Sequence, residues 1–101
     1  MKELVLVFPN MNEAEYHFRN FKNGEIKNIK YAFIGKNCID FFYFDSRNLN
    51  FIQKLLGKKE LKDLHVYFKS KNSDLKGFKN IKNVDKNLET FEVYEIIKKE
   101  M

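Results

Sequence analysis

Aromatic rings and lysines are the residues of this 101-residue chain whose types and spacing point most directly to chemistry. Residues 38–44, Cys-Ile-Asp-Phe-Phe-Tyr-Phe, contain four consecutive aromatic side chains with turn residues on either side. Such a run predicts a β-strand, in which Phe42 and Phe44 lie on the face opposite Phe41 and Tyr43. Exposed rings stack on nucleic-acid bases, and lysines nearby hold the phosphates. We therefore interpret Phe42, Phe44 and Tyr67 as a candidate stacking surface.

The lysines are concentrated in the middle of the sequence. Nineteen basic residues against fourteen acidic ones give a net charge of +5. This charge suits a polyanionic partner, and it is also common in lysine- and asparagine-rich chains. The basic middle and an acidic C-terminal segment with four glutamates attract each other. The lysines that we expect to contact RNA, DNA or a nucleoprotein complex lie in polar segments or at element ends: Lys58, Lys59, Lys69, Lys71, Lys76 and Lys79.

Groups that act in acid–base or nucleophilic catalysis are few and scattered. His17 is predicted on the polar side of a helix, and His65 alternates out of a strand. Cys38 is the single cysteine, which excludes an internal disulfide and a multi-cysteine metal site. In a hairpin next to Lys36 it is either a nucleophile of lowered pKa or, more simply, a small buried side chain. The sequence has no glycine-rich phosphate loop and no hydrolytic or metal-ligand motif. We predict a protein that is not an enzyme and needs no metal or cofactor.

Hydrophobic periodicity predicts six elements in the first 70 residues. Strands are expected over 3–8, 29–34, 38–44 and 64–69. A helix of about ten residues, capped by Asn12, is expected to end near Asn23-Gly24, and a second helix is expected over 46–56. The side chains expected on the helix-packed face of the sheet are Leu4, Leu6, Phe8, Ile29, Tyr31, Phe33, Ile39, Phe41, Tyr43, Leu64, Val66 and Phe68. This βαββαβ order specifies an α+β ferredoxin-like sandwich, a four-stranded antiparallel sheet of order 4-1-3-2 with two helices on one face. In that order the third and fourth strands lie about two strand spacings apart, roughly 10 Å. The potentially reactive residues on them are therefore not expected to converge: Cys38, Asp40, Asp45 and His65.

A single domain is expected, because a chain of this size builds one core that cannot be divided again. Residues 1–70 form the ferredoxin-like core. Residues 71–101 form an irregular basic segment and a C-terminal helix or strand, of which we favour the helix. Its apolar side chains Phe91, Tyr94 and Ile97 are expected to pack on the domain, where they are an alternative cover for the open face of the sheet. No apolar stretch approaches the ~20 residues of a membrane span, and no signal peptide is recognisable, so we predict a cytoplasmic protein.

Two families resemble this sequence. In topology and in the run Phe41-Phe42-Tyr43-Phe44 it resembles the RNA-recognition motif, which implies RNA binding by the open face of the sheet. The first 70 residues also resemble small selenium or sulfur carrier proteins. The order of Leu6-Val7-Phe8-Pro9-Asn10, a helix and Asn37-Cys38-Ile39 is similar to theirs, which implies a reactive Cys38.

Two main classes of function remain open. One is a small non-enzymatic module that binds nucleic acid or a nucleoprotein complex through a basic, aromatic surface. The other is a small protein-directed inhibitor similar to phage anti-CRISPR proteins or toxin-immunity partners, which its short, single-domain, lysine- and asparagine-rich sequence also suits. A single-cysteine carrier is a third alternative. We expect no membrane partner.

Overall fold

A computed structural model of the protein describes residues 2–23, 29–44 and 63–100. These residues form five strands and two helices, in the order β1 (Lys2–Phe8), α1 (Met11–Asn23), β2 (Ile29–Ile34), β3 (Cys38–Phe44), β4 (Asp63–Ser70), β5 (Ile81–Asn83) and α2 (Thr90–Lys99). The helix predicted over 46–56 lies outside the described residues.

The strands form one mixed sheet of order β2-β3-β4-β1-β5. β1 runs parallel to both β4 and β5, and β3 runs antiparallel to β2 and β4. The α+β class is therefore right, but the four-stranded antiparallel ferredoxin-like sandwich is wrong. β5 comes from the segment expected to be irregular, and it takes the place beside β1 that was predicted for β3. Two backbone bonds of 2.8 Å fix it there, from Val5 N to Asn80 O and from Val84 N to Val7 O.

Both helices contribute to a core on one face of the sheet. Alternate residues of β1, β3 and β4 point into this core and are at most 1% exposed: Leu4, Leu6, Phe8, Ile39, Phe41, Tyr43, Leu64, Val66 and Phe68. Phe18 and Phe21 of α1, and Val93 and Ile97 of α2, complete it. The predicted C-terminal helix and its packing on the domain are confirmed, although Phe91 is 66% exposed.

The opposite side of the sheet, which we call the open face, is covered in part by the loop of residues 71–80. Phe78 of this loop lies 4.9 Å from the Tyr67 ring and has the Lys69 ammonium 4.6 Å from its centroid. Val5 and Val7 on this face of β1 are accordingly buried. The C-terminal segment was one alternative cover for this face, but α2 packs on the other face, against the core.

Strand β2 departs from simple alternation. Its pairing with β3 shifts register between Lys30 and Phe33, and Tyr31 there has a φ of 52°. Ile29 packs against the core, but Tyr31 and Phe33 are 80% and 61% exposed. The prediction that these three residues share the helix-packed face is therefore wrong for two of them, because the bulge re-aims the strand.

The helices are short. α1 has 13 residues and is capped by Asn10, whose Oδ1 accepts a 2.9 Å hydrogen bond from Glu13 N; the predicted cap was Asn12. α2 has 10 residues and begins with a capping box formed by Glu89 and Glu92. Neither described helix has the length or hydrophobicity of a membrane span.

Candidate functional site

The pairing of β3 with β4 brings together residues that were expected to lie apart. Cys38 is in register with Lys69, Asp40 with Tyr67, and Phe42 with His65. These positions alternate with the core residues of the same strands, so all six belong to the open face. The expected separation of Asp40 from His65 is wrong, because β5 occupies the far side of β1 and leaves β3 to pair with β4. Cys38 pairs with Lys69, four residues along β4 from His65, and so stays apart from His65. Asp45 lies outside the described residues.

Five rings form a continuous line across the open face, which we call the aromatic row: Tyr31, Phe42, His65, Tyr67 and Phe78. The His65 ring is stacked with Phe42 at 4.4 Å and 23°, and with Tyr67 at 4.1 Å and 28°. Tyr31 approaches Phe42 at 6.2 Å and 87°, in an edge-to-face contact. Because the inner rings stack on each other, Phe42 and Tyr67 do not form the flat platform that the sequence suggested. Phe44 ends β3 in register with Asp63.

Asp40, His65 and Tyr67 form a polar chain within this row. The Tyr67 hydroxyl lies 3.0 Å from His65 Nδ1. Asp40 Oδ1 lies 3.6 Å from His65 Nε2, which is buried and just beyond hydrogen-bond length of that carboxylate. A carboxylate beside Nε2 favours the tautomer with its proton on Nε2, so Tyr67 donates to Nδ1. Three side chains from two strands thus lie side by side, with a hydrogen bond between Tyr67 and His65 and a longer contact between His65 and Asp40.

The potential nucleophiles beside this chain are held in their protonated forms. Burial raises the pKa of the Tyr67 phenol, and the negative charges of Glu3 and Asp40 raise it further. Burial also raises the pKa of the Cys38 thiol, with Lys69 opposing and Asp40 reinforcing the shift. A nucleophilic or carrier cysteine needs the opposite shift. The geometry therefore disfavours the reactive Cys38 that the resemblance to carrier proteins implied.

The lysines chosen from the sequence fall into three groups. Lys69 is half-buried with its ammonium over the Phe78 ring, so it has a structural contact that the sequence did not indicate. Lys71, Lys76 and Lys79 are exposed. Lys58 and Lys59 lie outside the described residues.

Three of the exposed lysines, Lys71, Lys79 and Lys86, line clefts beside β1 and β5 at one edge of the sheet, and Lys76 is exposed in the loop before β5. Lys86 was not among the lysines predicted to bind, but it is exposed in the same way. We call Lys71, Lys76, Lys79 and Lys86 the lysine surface. None of the four forms an ion pair with another described residue. Lys82 of β5 differs, because its ammonium lies 3.9 Å from Glu100. This contact is a case of the attraction expected between the basic middle and the acidic C-terminal segment.

The backbone of β1 fixes where these lysines lie. Lys71 N donates a 3.1 Å hydrogen bond to Phe8 O, at the carboxyl end of β1. Lys71 and Lys86 line a cleft of about 480 Å³ there. Lys79 lines a second cleft of about 340 Å³ with Glu3, at the opposite end of β1. The lysine surface therefore extends along the whole length of β5.

His17 is a core residue and does not lie on the polar side of α1 as predicted. It is 2% exposed, lies 5.6 Å from the Phe8 ring, and its Nδ1 is 2.9 Å from Thr90 Oγ1 at the start of α2. Burial lowers the pKa of His17, and Glu13 and Glu89 oppose that shift. In the described ranges no three His, Cys, Asp or Glu side chains are grouped so as to hold a metal ion.

Comparisons with protein-family models, with curated proteins and with solved structures found no match to this chain. They leave both family resemblances untested.

Proposed function

We propose that this protein is a cytoplasmic, non-enzymatic binding module for nucleic acid, free or within a nucleoprotein complex, and that it binds the phosphate backbone through the lysine surface. The observation that carries this proposal is the set of four exposed lysines without ion pairs to other described residues, three of which line clefts at one edge of the sheet. The expected ligand is a polyanion whose charges repeat along its length.

Local charge supports this proposal. Residues 71–86 contain five lysines and two aspartates, a local balance of +3. An unpaired, exposed ammonium group loses little when it leaves water for a phosphate, because no internal ion pair must be broken. Binding to phosphate also releases the counterions condensed on the nucleic acid, which is a favourable contribution independent of sequence. A surface of this kind gives affinity for nucleic acid without base recognition.

The salt dependence of binding tests the proposal. If all four lysines contact phosphates, the logarithm of the association constant should fall against the logarithm of salt concentration with a slope of about −3 on single strands or about −3.6 on duplex. The measurement is fluorescence anisotropy of labelled oligonucleotides between 50 and 300 mM salt. In the double variant Lys71→Glu/Lys79→Glu the slope should fall by about half, because two of four contacts are lost.

Lys99→Glu is the matched control. Lys99 is exposed on α2, in the helical layer on the core side of the sheet, and its reversal changes the net charge of the protein in the same direction. It should leave the slope nearly unchanged. Equal effects of Lys79→Glu and Lys99→Glu would mean that net charge, and not the lysine surface, governs binding, and would refute the proposal.

A protein-directed inhibitor is the second candidate, and the edge strand β2 favours it. Phe33 and Ile34 are 61% and 53% exposed there, and exposed apolar side chains on an edge strand are typical of protein contacts. A partner captured from lysate that survives nuclease treatment and 500 mM salt, and that is lost with Phe33→Ser, would favour this function over nucleic-acid binding.

A further inference from the structure

Tyr31 has a backbone conformation that its side chain disfavours. Its φ of 52° lies in the left-handed region, and it is the one residue other than glycine in the described ranges with a positive φ. A bulky aromatic residue is strained there, whereas glycine is not. Strain of this kind persists only where the surrounding structure imposes it, and it is concentrated at functional sites.

The packing of Tyr31 does not explain the strain. Its side chain is 80% exposed, so the hydrophobic effect gives it little reason to be aromatic. Its single ring contact with another described residue is the edge-to-face approach to Phe42. One such contact offsets at most part of the strain of a left-handed aromatic residue. A glycine at this position would remove the strain, but it adds about 0.4 to 1 kcal/mol of conformational entropy to the unfolded chain, so in the free protein the two residues should give similar stability.

Of the five rings in the aromatic row, Tyr31 is the one that is largely exposed to solvent. Phe42, His65 and Tyr67 are stacked on each other, and Phe78 at the far end lies between Tyr67 and the Lys69 ammonium. A nucleobase would have to separate rings 4.1 to 4.4 Å apart to stack within the row. At Tyr31 it meets an exposed ring whose orientation is already set by Phe42.

We propose that Tyr31 stacks on an unpaired nucleobase, so that the preferred ligand is single-stranded nucleic acid. This inference rests on the proposed function. Bases within a duplex stack on one another and do not offer their faces to a protein ring, whereas bases of a single strand do. Charge complementarity also favours single-stranded nucleic acid as the ligand. The aromatic row runs from Tyr31 to Phe78, and the lysines Lys76 and Lys79, on either side of Phe78 in the sequence, can bind the phosphates of a strand that follows the row. The centroid separations of 6.2, 4.4, 4.1 and 4.9 Å make the row less than about 20 Å long, or about six nucleotides at the ~3.4 Å rise of a stacked strand.

Three substitutions at Tyr31 separate stacking from structure. Tyr31→Gly removes both the ring and the strain, Tyr31→Leu keeps an apolar side chain without a π-system, and Tyr31→Phe keeps the ring. The probes are a labelled ten-nucleotide oligothymidine and a ten-base-pair duplex, and the melting temperature of each variant is measured in parallel.

We expect Tyr31→Gly to change the melting temperature little and to weaken single-strand binding by about 5- to 150-fold. Tyr31→Leu should weaken single-strand binding to a similar extent, and Tyr31→Phe should bind as the parent does. Duplex affinity should be the same in all four proteins.

Four results would overturn the inference. A clearly lower melting temperature in both Tyr31→Gly and Tyr31→Leu would mean that the ring is structural. Parental single-strand affinity in Tyr31→Leu would mean that Tyr31 offers apolar area of the kind a protein partner uses. If the parent protein binds neither probe, the proposed function fails and this inference fails with it; if it binds both and the Tyr31 variants bind as it does, only this inference fails.

Discussion

The open face has its composition because β3 pairs with β4, and a single engineered cysteine tests this pairing. Cys38 and Lys69 are cross-strand partners on this face. Directly opposite residues of antiparallel strands have Cα atoms about 4.5 to 5.5 Å apart, within the range of about 4.4 to 6.8 Å found for disulfides. In a 4-1-3-2 sheet the two positions would be roughly 10 Å apart, too far for a bridge. We expect Lys69→Cys to form an intrachain disulfide with Cys38.

The disulfide should also stabilise the protein by a calculable amount. It closes a loop of about 30 residues, for which the chain-entropy relation gives about 3.6 kcal/mol. At about 4 to 8 °C per kcal/mol for a domain of this size, the melting temperature of the oxidised form should exceed that of the reduced form by roughly 14 to 29 °C. Comparing two redox forms of one variant cancels the loss of the Lys69–Phe78 contact, which both forms share.

The assay is a thiol titration with mass spectrometry under native conditions, followed by thermal unfolding with and without reductant. Lys71→Cys is the control, because Lys71 lies just beyond the end of β4, where the pairing with β3 has ended, and carries the same charge. It should keep both thiols free in the monomer. Failure of Lys69→Cys to oxidise, or equal oxidation of both variants, would show that β3 and β4 are not paired in this register.

Two further outcomes concern α2 and its contact with α1. Burial lowers the pKa of His17, so the folded protein binds a proton at His17 less tightly than the unfolded chain does. The free energy of unfolding should therefore decrease as the pH falls below the ordinary imidazole pKa of about 6.5. Urea unfolding at pH 7.5 and 5.5 should show a smaller decrease in His17→Gln than in the parent protein, and an equal decrease would contradict the burial of His17. Ile97→Ala should lower the free energy of unfolding by about 2 to 5 kcal/mol, because Ile97 is 1% exposed. Phe91→Ala on the same helix should change it by less than about 0.5 kcal/mol, because Phe91 is 66% exposed. Similar losses in the two variants, measured by urea unfolding, would mean that α2 packs by a different face.

Alternation along single strands was readable from the sequence because it depends on local chemistry. The period of two in β1, β3 and β4 places every second residue in the core, and the predicted core sets of these three strands are the observed ones. The same rule failed at β2, because a bulge adds a residue and changes the face of everything after it. No composition signal in residues 29–34 marks the bulge, since Tyr31 is neither glycine nor asparagine.

Strand order was not readable in this way, because it depends on which strands compete for the two edges of β1. The sequence of β5, Ile81-Lys82-Asn83, is three residues long and carries no alternation, so it was assigned to an irregular segment. Its pairing depends on backbone groups of Val5 and Val7, which any sequence could supply. A short strand held by main-chain bonds leaves almost no trace in side-chain pattern.

That one missed strand changed the chemistry expected of the open face. If β3 lay beside β1, Phe42 and Tyr67 would be on strands that are not neighbours, and Asp40 would lie too far from His65 for contact. With β3 beside β4, Phe42 and Tyr67 stack on the two sides of His65, and the inner rings lose their free faces. Any affinity for unpaired bases must then reside at the end of the row, where Tyr31 is exposed, and any affinity for phosphates at the edge of the sheet that β5 forms. β5 therefore has two effects: it leaves β3 to pair with β4, and it forms the edge of the sheet beside the lysine surface. Because Tyr31 lies on β2, at the opposite edge, substitutions at the two edges should affect base stacking and phosphate binding separately.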